Sequence, residues 1–93
     1  MKGLNYSKKL MLIEHRRLKN ELEWLDETLL DLNKRVKNLK MTLATGKLVS
    51  EDYDMLFDLC DNTELRIEEL EKRRDKVIRL LKETENIIED VVI

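Results

Sequence analysis

Proline is absent from this 93-residue sequence and glycine occurs only twice, so few positions can interrupt a helix. Aromatic residues make up 4% of the chain, whereas charged residues make up 41%. So few aromatic residues beside so many leucine, glutamate, lysine and arginine residues are typical of long surface-exposed helices or coiled coil. High charge also marks disordered chains, but the hydrophobic residues, 42% of the total, recur with a regular period. That regularity favours a folded helical protein.

Neither an excess of one charge sign nor a long hydrophobic run is present. The net charge is −2, from 18 basic and 20 acidic residues, so the overall charge does not point to nucleic acid or an anionic membrane. The run from Leu10 to Ile13 is far too short to span a membrane, and the first residues lack the apolar core of a signal peptide. The single cysteine, Cys60, excludes an intramolecular disulfide and indicates a reducing compartment. We therefore expect a cytoplasmic protein without a membrane partner.

Capping signals divide the chain into two helices. Ser7 is the predicted N-cap of the first helix, and Gly46 ends it because glycine readily adopts the left-handed conformation. Ser50 is the predicted N-cap of the second helix. A connection this short makes the helices antiparallel, which predicts an all-α fold, a long antiparallel helical hairpin. The predicted bounds are residues 7–45 for the first helix, 46–50 for the loop and 51–91 for the second helix, in one domain that covers residues 1–93.

Apolar residues recur along both helices at alternating spacings of four and three. A sustained repeat of 3.5 residues keeps one seam of each helix facing a partner and is the signature of a left-handed coiled coil. The few polar residues on this seam are His15 in the first helix and Thr63, Arg74 and Thr84 in the second. The predicted seam consists of Met11, His15, Leu18, Leu22, Leu25, Leu29, Leu32, Val36, Leu39 and Leu43, and of Tyr53, Leu56, Cys60, Thr63, Ile67, Leu70, Arg74, Val77, Leu81, Thr84, Ile88 and Val91.

Charged residues form blocks of alternating sign, and the order of the blocks in the second helix is opposite to that in the first. In an antiparallel hairpin every block therefore faces its opposite. Exposed ion pairs contribute only about 0.2–1 kcal/mol each, so the blocks select the partner helix more than they stabilise it. In an oligomer, helix 1 should lie against helix 2 of a neighbour, whether parallel or antiparallel. The blocks are residues 8–20 (+4), 21–31 (−5), 34–47 (+5), 51–65 (−6), 66–82 (+3) and 83–93 (−4).

Apolar residues outside the seam indicate self-association. They cluster toward the two ends of the hairpin, and the end that holds both termini is the richer. We predict that this end carries the main self-association surface and yields a homodimer with a four-helix arrangement. In the alternative, the same residues wrap the seam of a broad monomeric hairpin. The predicted interface residues are Leu10, Ile13, Trp24, Phe57, Leu59, Ile78, Leu80 and Ile87.

No set of residues predicts a catalytic site, a cofactor site or a metal site. His15 is the only histidine, so a histidine pair for a metal is excluded. Cys60 lies on the seam, where a cysteine acts as a small hydrophobe, and its neighbours Asp58 and Asp61 would raise the pKa of the thiol. The acidic residues of the segment 64–71 share a helix face, but the basic residues alongside favour a solvated charged surface. We therefore expect no enzyme and no cofactor.

Two functions fit these expectations. The leading hypothesis is a non-enzymatic protein-interaction or assembly module, such as a small adaptor, regulator or inhibitor that presents a helical face to a protein partner. The alternative is a nucleic-acid-associated four-helix dimer that merges basic stretches of two chains, including Lys8-Lys9, Arg16-Arg17 and Lys72-Arg73-Arg74. Acidic neighbours oppose a polyanion, so the sequence favours the first hypothesis.

Overall fold

The protein is built from two α-helices. A computed structural model describes the backbone of residues 2–92 and the side chains of residues 7–89. Helix α1 spans Lys2–Ala44 and helix α2 spans Ser50–Val92. Residues 2–92 contain no strand. The predicted all-α fold of two long helices is therefore confirmed.

Helix α1 begins at Lys2, five residues before the predicted N-cap Ser7. No proline stands in this segment to stop the helix. A serine N-cap is worth only about 1 kcal/mol, so a helix can continue through a serine when nothing else ends it. The predicted start of helix 1 is wrong for this reason.

The connection between the helices covers residues 45–49. Gly46 has a φ of +68°, the left-handed conformation that its position after the helix predicts. The amide of Thr45 donates to the carbonyl of Thr42 at 3.2 Å, and the hydroxyl of Thr45 donates to the same carbonyl at 2.7 Å. These bonds satisfy a carbonyl that has no partner further along the helix.

Helix α2 begins one residue earlier than predicted. The amide of Tyr53 donates to the carbonyl of Val49 at 2.9 Å, so Val49 occupies the N-cap position and Ser50 is the first helical residue. The predicted N-cap at Ser50 is therefore wrong by one residue. Glu51 and Asp52 lie in the first turn, where the helix dipole favours negative charge.

The chain divides into two compact units. Unit 1 consists of Met1–Leu25 and Arg73–Ile93, and unit 2 consists of Asp26–Lys72. Each unit pairs a stretch of α1 with a stretch of α2.

The two stretches within each unit run antiparallel. In unit 1, Glu21 bonds to Arg73 whereas His15, earlier in α1, bonds to Glu85, later in α2. In unit 2 the chain turns back through the residue 45–49 connection, and Lys40 pairs with Glu64 across the helices.

Among the side chains of residues 7–89, nine hydrophobic residues are buried, and all nine lie on the predicted seam. Those of unit 1 are Leu18, Leu25, Val77 and Leu81, and those of unit 2 are Leu29, Val36, Cys60, Ile67 and Leu70. The spacing of four and three residues therefore predicts the core of each unit. Thr84 is buried too, and its hydroxyl donates to the carbonyl of Leu80 at 2.7 Å.

Two seam positions differ from the others. Tyr53 is exposed, because it lies in the first turn of α2 with few neighbours; its ring stacks on that of Phe57 at a centroid distance of 6.3 Å. The side chain of Val91 lies outside the described residues.

Candidate interaction surface

For each pair of facing charge blocks, the described residues include a polar contact between the helices. In unit 1, the guanidinium of Arg73 donates to both oxygens of Glu21, from Nε to Oε1 at 2.8 Å and from Nη2 to Oε2 at 2.9 Å. Bidentate pairs of this kind fix direction as well as charge. His15 Nε2 lies 3.0 Å from Glu85 Oε1. These contacts align the two helical stretches of unit 1.

The third contact joins three residues of unit 2. Lys40 Nζ lies 2.9 Å from Glu64 Oε1, and the thiol of Cys60 donates to the same oxygen at 3.7 Å. The hydrogen bond from Lys40 lowers the pKa of Glu64, and Glu64 raises the pKa of Lys40 in return. Burial, followed by the charge of Glu64, raises the pKa of the Cys60 thiol. The thiol is therefore held in its neutral, unreactive form.

The acidic face of α2 borders a shallow groove in unit 2. Glu64, Glu68 and Glu71 line it together with Asn33 and Lys40. The carboxylate of Glu64 is occupied by Lys40 and Cys60. Within residues 7–89 no three histidine, cysteine or acidic residues are arranged to hold a metal ion.

The end of unit 1 that holds the described start of α1 exposes a short apolar collar. Leu10, Leu12 and Ile13 are exposed, Ile13 at 62%, and Met11 is half-buried. Successive helical residues are 100° apart, so these four side chains point in four directions around the helix. One neighbouring helix covers one side of α1 and therefore cannot cover all four directions. A helix that is apolar on all sides is normally buried.

Six of the eight predicted interface residues are exposed. Trp24 is exposed at 52%, and Ile78 and Leu80 are only half-buried, because they flank the buried seam. Leu10, Ile13, Trp24, Ile78, Leu80 and Ile87 belong to unit 1, and Phe57 and Leu59 belong to unit 2. Leu12 is exposed as well, although it is not among the predicted interface residues. Its position in the apolar run that starts at Leu10 is the sequence feature that could have predicted it.

The two predicted residues in unit 2 have different surroundings. Leu59 lines a shallow groove with Leu39 and with the polar residues Arg35, Asn38 and Thr42. The ring of Phe57 stacks on that of Tyr53, and Phe57 is 47% exposed. Both therefore remain accessible to a partner.

The two units carry net charges of opposite sign, although the net charge of the whole chain is small. Unit 1 contains eleven basic and eight acidic residues, a net charge of +3. Unit 2 contains seven basic and twelve acidic residues, a net charge of −5. A surface of either unit is therefore electrostatically attracted to the opposite unit of another copy.

Neither α1 nor α2, over the residues described, contains a segment that is long and apolar enough to cross a membrane. Compared with known proteins, the chain matches no family model, no curated protein and no solved structure at a significant level.

Proposed function

We propose that this protein is a non-enzymatic interaction and assembly module that pairs with a second copy as a four-helix coiled coil. The apolar surface of unit 1 serves as the self-association surface. An adaptor, regulator or inhibitor that presents helical faces to a protein partner fits this arrangement. The cytoplasmic location remains a prediction from the single cysteine.

The observation that carries the proposal is the exposed collar of Leu10, Leu12 and Ile13. Full burial of such side chains stabilises by about 1.5–3 kcal/mol each, so covering the exposed half of each contributes roughly 1 kcal/mol per residue. Ile87 is exposed in the same unit and enlarges the apolar area. A second copy of the chain is the simplest partner to cover them, because most soluble oligomers are built from identical chains.

The nucleic-acid alternative receives less support. Arg17 is hydrogen-bonded to Glu14 from Nε to Oε2 at 3.0 Å, and Arg73 is held by Glu21. Two of the basic residues that a phosphate backbone would contact are thus already neutralised by carboxylates. Retention of mixed nucleic acid in a gel shift at low salt, lost steeply as salt rises, would support that alternative.

Sedimentation equilibrium of the wild type and of an Ile13→Asp, Ile87→Asp variant tests the proposal. We expect the mass of two chains for the wild type and of one chain for the variant, because two buried carboxylates would oppose association. Leu30→Asp is the matched control, since Leu30 is 59% exposed and lies in unit 2. Circular dichroism should show equal helix content in all three proteins. A wild type with the mass of one chain at all concentrations refutes the proposal.

A further inference from the structure

Unit 1 carries an outward helix face on which basic and apolar side chains alternate. Lys9, Leu12, Ile13 and Arg16 are all exposed. Leu12, Ile13 and Arg16 follow Lys9 by three, four and seven residues, which places all four side chains on one side of α1. We name these four residues the basic stripe.

Unit 2 carries a second outward face with the same spacing and the opposite charge. Asp54, Phe57, Asp58 and Asp61 are exposed, and they stand three, four and seven residues from Asp54 along α2. We name these four residues the acidic stripe. Between Lys47 and Arg66 the sequence contains no basic residue that could neutralise it locally.

We propose that the basic stripe of one copy packs against the acidic stripe of a second copy. This inference rests on the proposed self-association and identifies the surfaces that meet. Each copy carries both stripes, so every chain offers a complementary surface to either stripe of another copy. Helix α1 of one copy then lies against helix α2 of the other, as the charge blocks predict.

Charge complementarity identifies a second copy as the occupant. The charged residues of the stripes, Lys9, Arg16, Asp54, Asp58 and Asp61, form no ion pair among the described residues. None of them takes part in the pairs that join the helices, Arg73 with Glu21 and Lys40 with Glu64. The two stripes thus present solvent-exposed charge of opposite sign at matching intervals.

The apolar residues of the stripes provide the centre of the contact. Leu12 and Ile13 of one copy would pack beside Phe57 of the other, with the charged residues at the edge. This arrangement of an apolar centre and a charged rim is the usual anatomy of a protein interface. One stripe pair is small compared with the roughly 1,600 Å² that a stable interface buries in total, so other exposed apolar residues of the self-association surface are needed as well.

Charge reversal in two separate variants tests the inference. The first variant is Lys9→Glu with Arg16→Glu, which makes both of its stripes acidic. The second is Asp54→Lys with Asp61→Lys, which makes both of its stripes predominantly basic. We expect the dimer dissociation constant of each variant alone to be at least about tenfold higher than that of the wild type, because like charges then meet where the stripes pack. An equimolar mixture should form a dimer that contains one chain of each variant.

Three further results complete the test, with sedimentation velocity for mass and circular dichroism for folding. Lys34→Glu with Lys37→Glu makes the same charge change on exposed residues outside the stripes and should leave dimerisation unchanged. If the Asp54→Lys, Asp61→Lys variant dimerises as tightly as the wild type, or if the mixture stays monomeric, the stripe pairing is wrong. The proposed self-association is not contradicted by either result. A monomeric wild type overturns both.

Discussion

At the scale of single residues, the carboxylate of Glu64 bonds to one side chain of each helix. One oxygen accepts both from Lys40, on the other helix, and from the thiol of Cys60, four residues away on its own helix. The pair with Lys40 is exposed to solvent, so its energy is modest, but it links α1 to α2 within unit 2. Because Glu64 also keeps the Cys60 thiol neutral, this residue affects both stability and cysteine reactivity.

The pH dependence of stability should therefore change when Glu64 is replaced by glutamine. The pKa of Glu64 is lower in the folded protein than its ordinary value, so ionised Glu64 stabilises the fold above that ordinary value. This contribution is lost as the pH falls through the lowered pKa. Urea unfolding should show Glu64→Gln to be less stable than the wild type at neutral pH, with the difference vanishing in acid.

The matched control is Glu68→Gln, since Glu68 lines the same groove and forms no ion pair within the described residues. Its unfolding should differ little from that of the wild type across the same pH range. On the alkaline side, the raised pKa of Lys40 predicts that the contribution fades again when that amine loses its proton. A stability difference for Glu64→Gln that does not vary with pH contradicts the proposed ion pair.

At the scale of the helices, Gly46 decides where α1 ends. A side chain at this position would meet no atom within 4 Å, so space does not require glycine there. The backbone does, because a φ of +68° disfavours residues with a Cβ atom. Gly46→Ala should lower the free energy of unfolding by about 1–2 kcal/mol, the penalty of the left-handed conformation.

Gly46→Asn separates this cause from any other effect of the substitution. Asparagine tolerates the left-handed conformation better than alanine does, although it is the larger residue. Thermal and urea unfolding should therefore rank the wild type first, Gly46→Asn second and Gly46→Ala last. If alanine proves more stable than asparagine, steric or solvation effects outweigh the backbone conformation.

The helical core was predictable from the sequence because helix geometry fixes the spacing of buried residues. Leu18, Leu25 and Val77, each at most 1% exposed, all stand on the predicted seam. The helix starts were less predictable. Ser7 and Ser50 are good capping residues, but a preference of about 1 kcal/mol does not outweigh continued hydrogen bonding and packing.

Individual polar partners were harder to predict than the core. The sequence indicates Asp58 and Asp61 as the acids near Cys60, whereas the structure brings Glu64 closest, one helical turn further along. The predicted direction of the thiol pKa shift is confirmed, but its main causes are burial and Glu64. Long side chains at neighbouring positions reach overlapping volumes, so the spacing of charges predicts facing blocks and leaves the choice of partner open.

At the scale of the whole molecule, opposite net charges on the two units favour contacts between unlike units of different copies. The charges of +3 and −5 would repel if like units met, and they would attract if unlike units met. In the proposed dimer, the apolar residues would supply the affinity and the charges would select the arrangement. Salt should therefore weaken such a dimer without abolishing it, because screening acts on the charges and leaves the apolar burial in place.

Self-association also predicts that thermal stability depends on protein concentration. Mass action stabilises the dimer by about 1.4 kcal/mol for each tenfold rise in concentration. For a dimer of two such chains this corresponds to a shift of roughly 2–4 °C in Tm. Melting followed by circular dichroism from low to high micromolar protein should show this shift for the wild type. The Ile13→Asp, Ile87→Asp variant should melt at one temperature throughout, because an isolated chain unfolds independently of its concentration. A wild-type Tm that stays constant over a hundredfold range would mean that each hairpin folds alone and that the exposed collar on α1 is covered by something other than a second copy.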